Sequence, residues 1–124
     1  MSMTSLPSPL RNAVLDDPHL QAQLAAVNQA FGEFCTRVAG EAWGLPLIDQ
    51  PTKALIAIAI DVVNQGLTAE SPFETHIQMA IKQGISFEQI EEVLMFCCVY
   101  AGFNKAAPAF VQLTEIRQRI EAEA

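Results

Sequence analysis

The segment Ala54-Leu55-Ile56-Ala57-Ile58-Ala59-Ile60, continued past Asp61 by Val62-Val63, constrains the fold of this chain more than any other feature. Its Ile and Val content would suit a buried strand. Two features favour a helix instead. Alanine is interleaved with the larger residues, and the segment follows Asp49-Gln50-Pro51-Thr52, where Pro51 suits the first helical position and Asp49 or Gln50 can cap it. The pattern predicts a helix from Thr52 to about Gln65, apolar on every side and therefore buried on every side. The longest unbroken apolar run, Ala54 to Ile60, falls far short of the roughly 20 residues that span a bilayer.

The remaining punctuation is also helical. Asp17-Pro18 opens a long helix to about Gly40, with Leu20, Leu24, Val27, Phe31, Phe34 and Val38 at spacings of three and four. The loop Trp43-Gly44-Leu45-Pro46-Leu47-Ile48 is apolar enough to be packed down. Ser71-Pro72-Phe73-Glu74 reads as a capping box opening a helix that Gly84 ends after Gln83. Ser86-Phe87-Glu88-Gln89 is a second box, and its helix runs through Tyr100 to a stop at Gly102. A last helix from about Lys105 to Glu121 has Pro108 near its first turn and an apolar face of Phe110, Val111, Leu113, Ile116 and Ile120. Nothing alternates with a period of two, so the expected class is all-α: a flexible arm over residues 1–10 and one helical domain over residues 11–124.

Composition narrows the function. Fourteen acidic residues against seven basic ones give a formal charge of −7, which repels nucleic acid and anionic lipid. The N-terminal residues have no basic region followed by an apolar one and do not read as a signal peptide. With three cysteines at no disulfide-framework spacing, this points to a reducing cytoplasm. No Cys-x-x-Cys and no His/Cys cluster occurs, so a structural zinc site is not expected.

His76 is the first candidate for chemistry. It shares a helix face with Phe73, Ile77, Ala80 and Ile81, and an imidazole on such a face suits acid–base work near neutral pH, although a core histidine with one partner is the plainer reading. Asp61 interrupts the apolar helix. It either orients His76 across a helix–helix contact or sits in water at the end of the buried stretch. Tyr100 either turns its hydroxyl into a pocket or reaches solvent. Glu74 is assigned to the capping box, His19 to the exposed start of a helix, and the adjacent Cys97 and Cys98 to buried thiols.

Four pieces of sequence stand in a distinctive order: Asp49 to Ala59, His76-Ile77-Gln78-Met79-Ala80-Ile81-Lys82-Gln83-Gly84-Ile85-Ser86, Glu88-Gln89-Ile90-Glu91-Glu92-Val93-Leu94, and Val99-Tyr100-Ala101-Gly102-Phe103. In these the stretch from Leu47 to about Val111 resembles the carboxymuconolactone decarboxylase family, which includes the alkylhydroperoxidase AhpD-like proteins. The resemblance implies an AhpD-like helical bundle whose subunits form a ring, a trimer or a hexamer. One branch of the family decarboxylates a muconolactone in a cofactor-free pocket. Another uses Cys-x-x-Cys-x-x-x-His with an upstream Glu to reduce peroxides or disulfides.

Of these motif residues only the histidine carries over, at His76. The two redox cysteines fall at Ala69 and Pro72, and the upstream Glu falls at Ala54. Decarboxylases often have Glu at the Pro72 position and a polar residue at that of Phe96. A thiol relay of the family kind therefore cannot operate here. The resemblance implies His76 as proton donor or acceptor, with Tyr100 or a backbone amide at a helix start donating to a developing oxyanion.

Three readings follow: a cofactor-free lyase or isomerase acting on a small organic acid or lactone, a non-catalytic oligomer that binds a small molecule or partner, and a redox protein using Cys97 or Cys98. In each, the 51% hydrophobic content has a physical consequence. The surplus around Leu55–Val63 and Val93–Val99 is expected to be subunit interface, with the negative charge keeping the outside of the ring soluble.

Overall fold

The computed structural model describes residues 10–68 and 71–123. Most of the expected N-terminal arm, residues 1–9, and Ala69 lie outside the described residues. Among the described residues there are six helices and no strand: α1 (Pro18–Val27), α2 (Gln29–Trp43), α3 (Gln50–Asn64), α4 (Pro72–Lys82), α5 (Phe87–Tyr100) and α6 (Phe103–Glu123). The all-α expectation holds. No helix is long and apolar enough to cross a membrane among these residues. The chain divides into two compact units, one ending at Lys53 and one beginning at Ala54, so the first turn of α3 belongs to the first unit.

In the first unit, the long helix expected from Pro18 to Gly40 is two helices. Asn28 breaks it in an extended conformation (φ −172°, ψ 135°), and its side chain caps α2 by accepting from the Phe31 amide at 2.9 Å. Asparagine competes for the backbone in this way, and the apolar spacing cannot register it. The break folds α2 back against α1. Gly32 permits the approach, because a Cβ there would lie 2.5 Å from the Ala25 backbone.

The loop after α2 is not packed down as its composition suggested. Leu47 is 95% exposed, and Leu45 and Ile48 are exposed as well. Polar groups hold this loop. Lys53 Nζ donates to the carbonyls of Trp43 at 2.8 Å and Leu45 at 2.6 Å, and Gln50 donates to Trp43 O at 2.5 Å. A lysine on the last carbonyls of a helix satisfies orphan acceptors and opposes the helix dipole. With its backbone satisfied in this way, the loop leaves its apolar side chains outward.

The second unit holds the larger core, which buries Ile58, Val62, Phe73, Ile77, Ile90, Leu94 and Ile116. The helix α3 is not buried all round. Ala54, Ile58, Asp61 and Val62 are inside, while Ile56, Ile60 and Val63 are about half exposed at 45%, 52% and 48%. One chain covers one face of this helix and leaves the other without a partner.

Two boundaries match their sequence signals closely. Gly84 (φ +90°) closes α4 with Ile85 N–H on Ala80 O and Gly84 N–H on Ile81 O, both at 3.0 Å, the Schellman pattern that a left-handed glycine makes possible. Ser86 and Gln89 form the reciprocal capping box of α5. The last helix begins at Phe103, earlier than expected, and carries Pro108 inside it.

The first capping box fails. Ser71 makes no cap hydrogen bond, and its Oγ is buried with no partner among the described residues. Glu74 is drawn away to α6, with consequences for the site.

Candidate active site

Asp61 lies on the last full turn of α3, on its buried face. Burying a carboxylate is costly unless it is paired. Its partner is His76 on α4, with Nδ1 of the imidazole 2.5 Å from Oδ2 of the carboxylate. Of the two placements open to Asp61, the structure has the contact with His76. The Asp61 side chain is 10% exposed and that of His76 is 25% exposed. The carboxylate is thus shut in while the imidazole keeps one edge outward.

This geometry selects a tautomer. An ionised carboxylate only accepts hydrogen bonds, so the proton between the two groups sits on Nδ1. The neutral imidazole then presents an unprotonated Nε2. A nitrogen so placed can take a proton as a base and return it as an acid, and an adjacent carboxylate can stabilise the imidazolium in between. No other hydrogen bond to the His76 ring occurs among the described residues, so Nε2 is available.

Both helices of the pair are tied to α6. At the end of α3, Gln65 adopts a left-handed conformation (φ 59°), and its side chain donates to Lys105 O at 3.0 Å, while Lys105 Nζ donates to Val63 O at 3.1 Å. At the start of α4, Glu74 accepts a two-pronged bond from Arg119, at 2.7 and 2.8 Å. The arginine holds the Glu74 carboxyl below its ordinary range, mainly through this hydrogen bond and against a smaller opposing effect of burial. Sequence reasoning missed this pair. The two residues are 45 positions apart, and Glu74 had a local role available in the capping box.

Tyr100 lies on the unit's surface. It is 78% exposed at the end of α5, and its ring meets that of Phe96 at 5.0 Å between centroids. No hydrogen bond joins it to the Asp61–His76 pair among the described residues. Cys97 is buried on the same helix, and burial, with Cys98 beside it, pushes its thiol pKa up. That is opposite to what a reactive thiolate needs. Among the described residues, no cluster of His, Cys, Asp or Glu has the arrangement of a metal site.

An open groove of about 760 Å³ runs through the first unit, past Pro18, Ala22, Ala25, Gly32, Glu33 and Arg37. It holds none of His76, Asp61 or Tyr100. Volume alone does not make chemistry, so the titratable pair in direct contact is the better candidate.

Comparison with known proteins bears on this pair. The family model described as the carboxymuconolactone decarboxylase family matches residues 29–115. The chain belongs to the carboxymuconolactone decarboxylase family. Asp61, His76 and Tyr100 all fall within the matched stretch, whereas Arg119 lies beyond it. A 4-carboxymuconolactone decarboxylase of Acinetobacter baylyi is 27% identical over 111 residues, covering 86% of this chain and 81% of that protein. No solved structure gives a significant match. The all-helical fold agrees with the resemblance read from the sequence. Ala54, where the redox branch would need its Glu, is fully buried, and Pro72 and Phe96 are both exposed.

Proposed function

We propose that this protein is a cofactor-free decarboxylase or isomerase of a small organic acid or lactone, with His76 as the proton donor and acceptor and Asp61 holding it. The observation that carries the reading is the 2.5 Å contact from His76 Nδ1 to a nearly buried carboxylate. Family membership and the relative named 4-carboxymuconolactone decarboxylase support the choice of substrate class.

The chemistry fits one base. Breaking the carbon–carboxylate bond beside a lactone or carbonyl releases carbon dioxide and leaves the electron pair on an enolate-like carbon. The imidazolium delivers its Nε2 proton to that carbon, and Asp61 stabilises the positive ring until it does. In an isomerisation the same nitrogen first removes the proton and then returns it elsewhere. The oxyanion needs a donor, for which Tyr100 or a backbone amide at a helix start stands. Tyr100 is on an exposed face of its own chain, so its part in the reaction is tied to assembly.

Ile56, Ile60, Val63, Met95, Phe96, Val99 and Phe103 expose more apolar surface than a small soluble monomer normally leaves in water. Burial between identical subunits, as a trimer or hexamer in the cytoplasm, accounts for it.

The test is release of carbon dioxide, or isomer formation, from small lactone acids by the wild type and by His76→Ala. Loss of a general acid–base group lowers turnover by about 10²–10⁴-fold. Equal turnover in the two would sink the proposal. A second reading, a non-catalytic oligomer that binds such acids, draws on Pro72 and Phe96, which put no polar group where decarboxylases often have one. Saturable binding without turnover in the wild type is its signature.

A further inference from the structure

The pair Asp61–His76 is made of side chains on two helices, and neither side chain sets the distance between them. Apolar packing of Phe73 and Ile77 buries one face of α4, but packing of this kind has no direction and tolerates small rotations. Directional anchors are needed to fix a contact of 2.5 Å. The usual local one is missing, because Ser71 does not cap α4.

Two directional anchors come from α6. Near its start, Lys105 exchanges hydrogen bonds with the end of α3, just beyond Asp61. Near its other end, about four turns and 20 Å along the helix, Arg119 grips Glu74 in the first turn of α4, just before His76. The arginine–carboxylate fork has two parallel bonds, so it restrains orientation as well as distance. Glu74 is well placed to receive it because its side chain is only 17% exposed.

We infer that α6 braces the Asp61–His76 pair from both sides and that Arg119 is the positioning residue for His76, acting through Glu74. The inference rests on the reading of His76 as the proton-transfer residue, but its test does not pass through turnover. Arg119 lies beyond the stretch matched by the family model.

A built-in comparison exists. Arg117 lies two residues away on the same helix and pairs with Glu88 on α5 and with Glu121, so its removal loosens α6 without touching α4. The chain also has only two histidines, and the exposed His19 is an internal reference. The experiment labels the histidines of the full chain with ¹⁵N and follows the Nδ1–H proton that His76 donates to Asp61. In the wild type and in Arg117→Ala it is expected at low field and exchanging slowly. In Arg119→Ala it exchanges about tenfold faster or is lost, as expected for a restraint of one charged hydrogen-bond pair, while His19 is unchanged. Should Arg119→Ala fail to fold, Arg119→Lys keeps the charge, loses the fork and carries the same expectation in reduced degree. An unchanged His76 signal in the Arg119 variant that folds, or equal damage from Arg117→Ala, overturns the brace. Neither outcome touches the proton-transfer reading, which stands or falls on His76→Ala turnover.

Discussion

His76 donates its Nδ1 proton to Asp61 across 2.5 Å, and the carboxylate that receives it is almost closed off from water while the imidazole is not. In the proposed reaction that asymmetry makes the aspartate an orienting group and leaves the proton-transferring nitrogen on the histidine. Asparagine at position 61 keeps the shape, removes the charge and can present an N–H to Nδ1, which forces the opposite tautomer. Asp61→Asn is expected to fold normally by circular dichroism yet lose about 10²–10⁴ in turnover. Turnover within a factor of a few of the wild type would remove Asp61 from the site.

The Glu74–Arg119 fork makes an acid-sensitive contribution to stability. Arg119 lowers the Glu74 pKa in the folded state. A group with a lowered folded pKa stabilises above its unfolded pKa, about 4.3 for Glu, and loses that contribution as the pH falls through the lowered folded value. Arg119 is half exposed, so solvent screening keeps the contribution small. Urea unfolding of the wild type should be slightly harder than that of Arg119→Ala at pH 7, and the gap should close as acid protonates Glu74. A gap that widens on acidification contradicts the assignment.

Gly32 tests the first unit. A Cβ at this position meets the Ala25 backbone at 2.5 Å, a contact that only a shift of one helix relieves. Gly32→Ala gains helix propensity of about 1 kcal/mol and loses about 1–3 kcal/mol to overpacking. The net expectation is a lower thermal midpoint, and a raised one would show that α1 and α2 are not in close contact.

The exposed faces of α3 and α5 predict assembly. Light scattering at micromolar concentration is expected to give a multiple of the chain mass, and Ile60→Glu or Val99→Glu to reduce it, because each places a charge in an apolar contact. A wild-type chain that runs as a monomer speaks against the oligomer.

Cys97 should be inert. Burial raises its pKa and so reduces its thiolate fraction at neutral pH. Mass spectrometry after peroxide treatment should find Cys97 unoxidised, and rapid oxidation would revive a redox role.

Most of the secondary structure was legible in the residues themselves, because caps and stops are local chemistry. Pro51, the Ser86–Gln89 box, Gly84 and Gly102 each mark a boundary that the structure keeps. His76 stood out through its apolar face and its place in the family pattern, and its contact with Asp61 is the tertiary counterpart. Where local chemistry offered two outcomes, only the tertiary structure chose. Asn28 could continue a helix or cap a new one, and the close approach at Gly32 accompanies the second. Glu74 could reach back to Ser71 or across to Arg119, and a bidentate ion pair is stronger than a cap bond to a neutral partner. Asp61 could face water or His76, and its position on the inner face of α3 decided for the histidine. Sequence order determined which elements form, since those bonds close within a few residues. The site depended on contacts between residues far apart in the chain, and those exist only once the helices have packed.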